Sequence, residues 1–451
     1  MSSITERLLL VLILAVSLVV GALFALYTPV WQAPDEPAHY NYVAQVAAGG
    51  GFPMIEPGDW QQVYQEELKA ARFAPDMLDD LDTIEYEDHQ PPLYYLLASV
   101  VYRLTSGSLH ALRLFGVIIG AGVVLCAYAI GKLLYPQRPT VGLGAAAFVG
   151  FLPQHVAMLA AVNNDSLSEL LIGLTLLVTL LYIFAHPPLH QPYRGEALLG
   201  GLLGLIFITK STGYLMAGVV VLALLLRWRR SGQPVAALVQ DGVVTLLPAL
   251  IIGGLWWGRN IAVYGFPDFL GLRAHDVVVA DQLRTADYIA NIGLNTYLSS
   301  SAQTTFNSFW GQFGWMALPL PEWMYVGFAG LLAAVVGGLA LRRFLPLSPS
   351  PAEIEAKHRR DAWLCIGLLL LLALLAYVYY NTEFVQFQGR YLFPALIPLG
   401  LLAALGLDAW PRWLLPRVAL AQWATPVVLL LLAPLDVYII LRLVAPLLAP
   451  A

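Results

Sequence analysis

Apolar runs about as long as a bilayer is thick recur along almost the whole chain, and nothing else constrains its fold as strongly. A spanning helix needs about 20 mainly apolar residues. Eleven stretches qualify: 8–30, 112–134, 140–161, 166–185, 196–209, 213–228, 235–257, 324–341, 362–380, 391–409 and 418–440. The pair 196–209 and 213–228 is short for two crossings and reads equally as helices broken around Lys210. Hydrophobic residues make up 59% of the 451 and charged residues 12%, half the ~25% of soluble domains. Mean hydropathy is +0.70. A water-soluble fold of this size cannot hide that much apolar surface, so the chain reads as an all-α polytopic membrane protein.

The same numbers exclude other classes. A net charge of -5 with no basic tract excludes a nucleic-acid binder. The two cysteines, Cys126 and Cys365, lie inside apolar runs and read as small buried hydrophobes. No Walker loop, dinucleotide glycine fingerprint, His-Glu-x-x-His or zinc-ligand spacing is present, so nothing supports ATP hydrolysis, NAD chemistry or zincin proteolysis. The first apolar run is too long for a cleavable signal and is followed by Pro34-Asp35-Glu36. A short Pro/Ser stretch falls near 346–351.

Lys and Arg set the expected orientation. With a cytoplasmic N-terminus, fourteen of the 24 basic residues fall in inner loops. Arg227-Trp228-Arg229-Arg230 and Arg342-Arg343 mark them most strongly. Two large regions then lie outside, 31–110 and 258–322, on a single transmembrane domain covering 1–451. The first should carry two membrane-surface helices. One starts at Pro34-Asp35-Glu36, where proline and acids suit a helix N-terminus, and stops at Gly49-Gly50-Gly51. The other runs from Pro91-Pro92 to about Thr105, too short to span, with tyrosines suited to the headgroup level. The Asp79–Asp88 acids read as a solvated loop. The work of the chain is expected on this outer face of a cell membrane.

Charges at a membrane edge are costly and therefore functional candidates. Asp35 and His39 share a helix face, while Glu36 points about 100° away. They read as a general base, as metal ligands, or as helix-start acids obeying the helix dipole. Asn163-Asn164-Asp165 offers a second acid or an N-cap. Lys210 either snorkels outward or meets a phosphate. Arg259 follows the Trp256-Trp257 belt, and Arg390 sits where the chain re-enters the membrane. A planar guanidinium at that depth matches a phosphate.

Four stretches taken in order resemble known membrane enzymes: Ala33-Pro34-Asp35-Glu36-Pro37-Ala38-His39, Gln90-Pro91-Pro92-Leu93-Tyr94-Tyr95, Asn163-Asn164-Asp165-Ser166-Leu167 and Gln388-Gly389-Arg390-Tyr391. They resemble the GT-C superfamily of glycosyltransferases, which use polyprenyl- or dolichyl-phosphate sugars. More closely they resemble the bacterial membrane-protein family catalogued as domain of unknown function 2142. The resemblance implies a GT-C fold and sugar transfer from a lipid-phosphate donor to a glycan, lipid or protein acceptor. It implies catalysis at Asp35 with Glu36 beside it, and acceptor orientation by Asp165 and His39. It implies donor-phosphate contacts from Arg390, Lys210 and Arg259. A divalent metal at Asp35 and Asp165 is a further option. Relatives often have Lys before Pro-Pro-Leu; here Gln90 stands there, and Lys210 or Arg259 is left to compensate. Trp256 and Trp257 are expected at the mouth of a lipid groove. The competing class is a lipid or sugar transporter or flippase, which would string polar residues through the midplane and repeat its halves. Neither feature is visible. A non-catalytic assembly protein keeping the fold is a third reading.

Overall fold

A computed structural model describes residues 2–184, 193–280, 282–345 and 353–450. The Pro/Ser stretch near 346–351 lies outside them. The described chain is helical almost throughout, with one two-stranded hairpin, Gln312–Phe313 and Leu318–Pro319.

The helices that matter run in chain order as α1 (Ser2–Tyr27), α2 (Glu36–Ala48), α3 (Gln62–Ala70), α4 (Leu93–Leu104), α5 (Leu109–Leu134), α6 (Pro139–Gly150), α7 (Pro153–Leu159), α8 (Asp165–Phe184), α9 (Arg194–Phe207), α10 (Leu215–Ser231), α11 (Val235–Tyr264), α12 (Leu272–Val278), α13 (Thr285–Ile292), α14 (Leu294–Trp310), α15 (Glu322–Leu341), α16 (Glu353–Glu383) and α17 (Leu396–Leu407). A last span covers Leu420–Leu448. Among the described residues nine helices are long and apolar enough to cross a membrane, and the bent pair α6–α7 makes a tenth. The difference from the eleven expected is α9. Its 14 residues rise only about 21 Å at 1.5 Å each, short of a ~30 Å hydrocarbon core.

The 140–161 run, expected as one straight span, bends by 66° between α6 and α7. Pro153 has no amide to continue the ladder and starts a new helix instead. Small residues allow the close packing beneath it. A Cβ on Gly142 would meet the Tyr128 carbonyl oxygen at 2.7 Å, so α6 lies directly on α5.

The two ends of the bundle differ in charge. At one end of α5, Arg113 pairs with Glu36; at the other, Lys132 pairs with Glu6 on α1. The second end also gathers Arg138, Arg412 and Asp408, and Arg230 with Asp361. These are the basic residues that the charge rule counted as inner. The region 31–110 sits over the first end and has a small core of its own, from Trp31, Ile55, Leu68, Phe73, Ile84 and Tyr86, closed by Val279. The Asp79–Asp88 stretch is not wholly solvated: Asp88 is buried and His89 follows it inward.

Candidate active site

Arg113 and Glu36 organise the site. Both side chains are fully buried. The guanidinium donates to both Glu36 oxygens, Nε to Oε1 at 2.8 Å and Nη2 to Oε2 at 2.6 Å. It also donates to the carbonyls of Ala25, Thr28 and Pro29, where the chain leaves α1. The Val162 amide adds a bond to Glu36 Oε1 at 3.1 Å. One ion pair thus ties α1, α2, α5 and the turn before α8 together. A shared catalytic role for Glu36 does not fit this geometry. Both its oxygens are spent on structure, and none of its surface is open.

With Glu36 turned inward, Asp35 faces the opposite way. It precedes α2 in the left-handed region, φ 65°, a conformation Asp tolerates better than most residues. Its Oδ1 accepts from the Tyr86 hydroxyl at 2.9 Å and its Oδ2 from Arg390 Nη2 at 2.8 Å. The side chain keeps 26% of its area exposed. Burial works to raise the Asp35 carboxyl; the Arg390 charge and hydrogen bond override it and hold the group below its ordinary value.

Arg390 is delivered by the tight turn Gly389–Ala395 that leads into α17. The Gly389 amide donates to Ser308 Oγ at 2.8 Å. A Cβ at Gly389 would fall 2.4 Å from the Phe309 nitrogen, so only glycine lets the turn lie against α14. Arg390 Nη1 reaches no oxygen, only Met158 Sδ at 3.9 Å, and Nε is buried with no partner among the described residues. The Nη1 edge of the guanidinium is therefore the one left available to an anion.

Asp165 begins α8. Its amide donates to Asn163 Oδ1 at 3.0 Å, so Asn163 caps the helix start while the Asp165 carboxylate is left for Lys210, whose Nζ sits 2.6 Å from Oδ1. Lys210 comes from the break between α9 and α10, ahead of a short 3₁₀ turn, Ser211–Tyr214. Asp165 and Arg390 line one small cavity with Ser168, Glu169 and Thr212. Asp35, Arg390, Asp165 and Lys210 thus form one neighbourhood.

His39 Nδ1 lies 2.8 Å from the Tyr95 hydroxyl. Burial drives its pKa down, against the Glu87 charge. Gln90, standing where relatives carry Lys, accepts from Asn164 Nδ2 at 3.1 Å, so it braces the turn before Asp165 and offers no charge. Arg259 lies elsewhere. It donates to the Phe52 and Pro53 carbonyls and stacks on Trp256 at 4.8 Å. It pins the middle of the 31–110 region and makes no bond to the four charged residues.

Three residues of the site were not singled out in the sequence. Arg113 falls inside the apolar run 112–134, where a lone arginine is itself a signal. Tyr86 and Glu87 looked like part of an acidic loop. Burial lifts the Glu87 carboxyl above its ordinary value, His39 pulls it down, and Asp35 pushes it up. Its Oε2 is buried with no partner among the described residues. Their place just before His89-Gln90-Pro91-Pro92 could have flagged them.

A metal at Asp35 and Asp165 does not match these donors. Each carboxylate already faces a cation, and among the described residues no three His, Cys, Asp or Glu side chains gather as a ligand set.

A helical membrane bundle with this cap and this charged end has a GT-C-like fold, as its likeness to the solved structures that follow shows. Residues 89–257 match the family described as dolichyl-phosphate-mannose-protein mannosyltransferase. The whole chain is similar in fold to ArnT from Cupriavidus metallidurans bound to undecaprenyl phosphate (TM-score 0.51, 17% identity, 97% of this chain and 73% of that one). The apo form of the same protein matches with TM-score 0.53 at 19% identity, over 95% of this chain and 63% of that one. The Archaeoglobus fulgidus oligosaccharyltransferase tethered to an acceptor peptide matches with TM-score 0.51 at 12% identity, over 98% of this chain and 56% of that one. The chain is therefore shorter than these proteins. No curated protein sequence matches it. None of these likenesses bears on the resemblance to the 2142 family.

Proposed function

We propose that this protein is a membrane glycosyltransferase that moves a sugar from a polyprenyl-phosphate donor to an acceptor hydroxyl, on the extracytoplasmic face. One observation carries the reading: Asp35 and Arg390, 355 residues apart in sequence, meet at 2.8 Å beside Asp165 and Lys210. A carboxylate suited to take a proton beside two cations suited to hold a phosphate supports that reading.

The donor arrives activated, so the barrier lies in deprotonating the acceptor and stabilising the departing phosphate. Asp35 accepts the acceptor's hydroxyl proton as its oxygen attacks the anomeric carbon. The bond from that carbon to the phosphate oxygen breaks on the opposite side, inverting the centre, and the lipid phosphate leaves with the electron pair. Arg390 and Lys210 neutralise that charge, and Asp165 holds Lys210 in position. His39, fixed by Tyr95, borders the acceptor side. Beside the Arg390 turn an apolar groove of about 510 Å³ runs between α14, α15 and α16, lined by Leu298, Phe309, Leu332, Tyr377 and Leu392. Leu392 is two residues from Arg390, so a lipid whose phosphate meets the guanidinium can lay its tail there. Trp256 and Trp257 do not line this groove, and the expected aromatic mouth moves to Phe309 and Tyr377.

The test is turnover of polyprenyl-phosphate sugars by the purified protein. Asp35→Asn should lower it by about 10²–10⁴-fold, the usual worth of a general base. Undiminished turnover in that variant would remove Asp35 from the role. A cavity alternately open to both sides of the bilayer, with no transfer, would favour the transporter reading.

A further inference from the structure

Beside the Arg390 turn, where α7 meets α8, lies a buried acid–base pair that the proposed chemistry leaves unused. His155 on α7 is fully buried, and the Glu169 side chain on α8 keeps only 7% of its area exposed. His155 Nδ1 lies 2.7 Å from the Val149 carbonyl oxygen, and its Nε2 lies 2.7 Å from Glu169 Oε2. A carbonyl can only accept, so Nδ1 carries a proton. At such a distance two lone pairs cannot face each other, so a second proton lies between Nε2 and Oε2. Whichever atom holds it, imidazole and carboxyl together carry no net charge. The Phe393 ring, on the turn that carries Arg390, stands edge-on to the imidazole at 5.4 Å and helps to fix it.

Glu169 follows Asp165 by one helical turn, on the same face of α8. Both line, with Ser168, Thr212 and Arg390, a cavity of about 20 Å³, room for one group the size of a water or a hydroxyl. With Oε2 held by His155, Oε1 is the oxygen left to an occupant. Asp35 and Asp165 already balance Arg390 and Lys210. A further bare carboxylate would oppose a phosphate at Arg390 and would be costly to bury. His155 removes that repulsion and leaves a strong acceptor in place. A neutral acceptor in a hydroxyl-sized cavity beside a phosphate-binding guanidinium fits an uncharged O–H held close to a phosphate. A glycosyl phosphate presents that combination.

We infer, on the reading that a polyprenyl-phosphate donor is held at Arg390, that Glu169 accepts a hydrogen bond from one hydroxyl of the transferred sugar and so selects the sugar, with His155 positioning and neutralising it.

The experiment measures donor binding to the full-length protein in nanodiscs by native mass spectrometry. The probes are decaprenyl-phosphate mannose, glucose and galactose, each with its mono-deoxy analogues. For the hexose bound best, loss of one particular hydroxyl should weaken binding about 10–100-fold, the worth of one hydrogen bond to a charged group. His155→Phe with Glu169→Met should erase that ratio at a melting temperature near the wild-type value, since well-packed apolar groups can replace a buried pair without loss. Glu169→Met alone carries the same comparison if the double variant does not fold. Glu169→Gln should preserve the ratio, because its amide N–H donates to Nε2 and its amide oxygen still accepts. A pair that only clamped α7 to α8 would move the melting temperature and leave the ratio alone. An unchanged ratio without the Glu169 carboxyl, no hydroxyl preference in the wild type, or no binding of any of the three hexose donors overturns the assignment. A hydroxyl preference in binding without transfer to any acceptor sinks the transferase reading and leaves the sugar subsite standing.

Discussion

At the residue scale, neighbouring acids with similar surroundings in sequence have opposite fates. Asp35 looks out to Arg390, whereas Glu36 is sealed against Arg113. The pair predicts two distinct phenotypes. Arg113→Met strands a fully buried carboxylate and should cost about 3–5 kcal/mol, read as a lowered melting temperature and poor yield. Arg390→Gln should leave the fold in place and change the pH profile instead. Asp35 must be ionised to accept a proton. Arg390 holds it below its ordinary value, so the acid limb of wild-type kcat/KM, which reports the free enzyme, is expected on the acid side of an ordinary carboxylate. Without Arg390, burial acts largely unopposed and raises the carboxyl, so the acid limb should move to higher pH in a rate–pH series. An unshifted limb would argue against Asp35 as the titrating base. Asp35, Asp165 and Arg390 were legible as charges at membrane edges. The division of labour between Asp35 and Glu36 was not, because it depends on Arg113 from a helix that is remote in sequence. Arg259 and Lys210 looked equivalent for a similar reason: only folding reveals that backbone carbonyls at Phe52 and Pro53 take the former.

At the scale of elements, the site is assembled by interruptions in helices. Asp35 precedes α2, Asp165 starts α8, Lys210 sits in the break before α10, and Arg390 lies in the 3₁₀ turn before α17. Gly389 shows how tightly one of these is set. Gly389→Ala should force the turn away from α14, costing about 1–3 kcal/mol as overpacking does and lowering turnover more than stability, because Arg390 moves with it. Equal activity at unchanged melting temperature would mean that the turn is softer than its contact with Phe309 implies. The starts and stops of α2 and α4 could be read from Pro, Gly and Ser. The α6–α7 bend could not be measured from sequence, since an apolar run with one proline fits a straight, kinked or broken helix equally well.

For the molecule as a whole, hydropathy sufficed for the architecture because the bilayer allows so few solutions. It did not suffice for the count, since α9 is apolar yet short. Sidedness is testable directly. With Cys126 and Cys365 both buried, single cysteines at Glu66 and Ser231 can be probed in intact cells with an impermeant maleimide. Glu66→Cys should label and Ser231→Cys should not; the reverse pattern would put the catalytic end in the cytoplasm.

The Asp35–Arg390 contact also bears on timing. At rest, the cation proposed to welcome a lipid phosphate doubles as the counter-ion that holds Asp35, the proposed proton acceptor, below its ordinary value. A phosphate arriving at the free Nη1 edge of Arg390 would dilute that partnership and let Asp35 grow more basic. Strength would then come only after cargo is aboard, which guards against idle hydrolysis and dictates a compulsory sequence, lipid first and hydroxyl second. Initial-rate kinetics with a dead-end analogue of each substrate would reveal that sequence, and random entry would refute it.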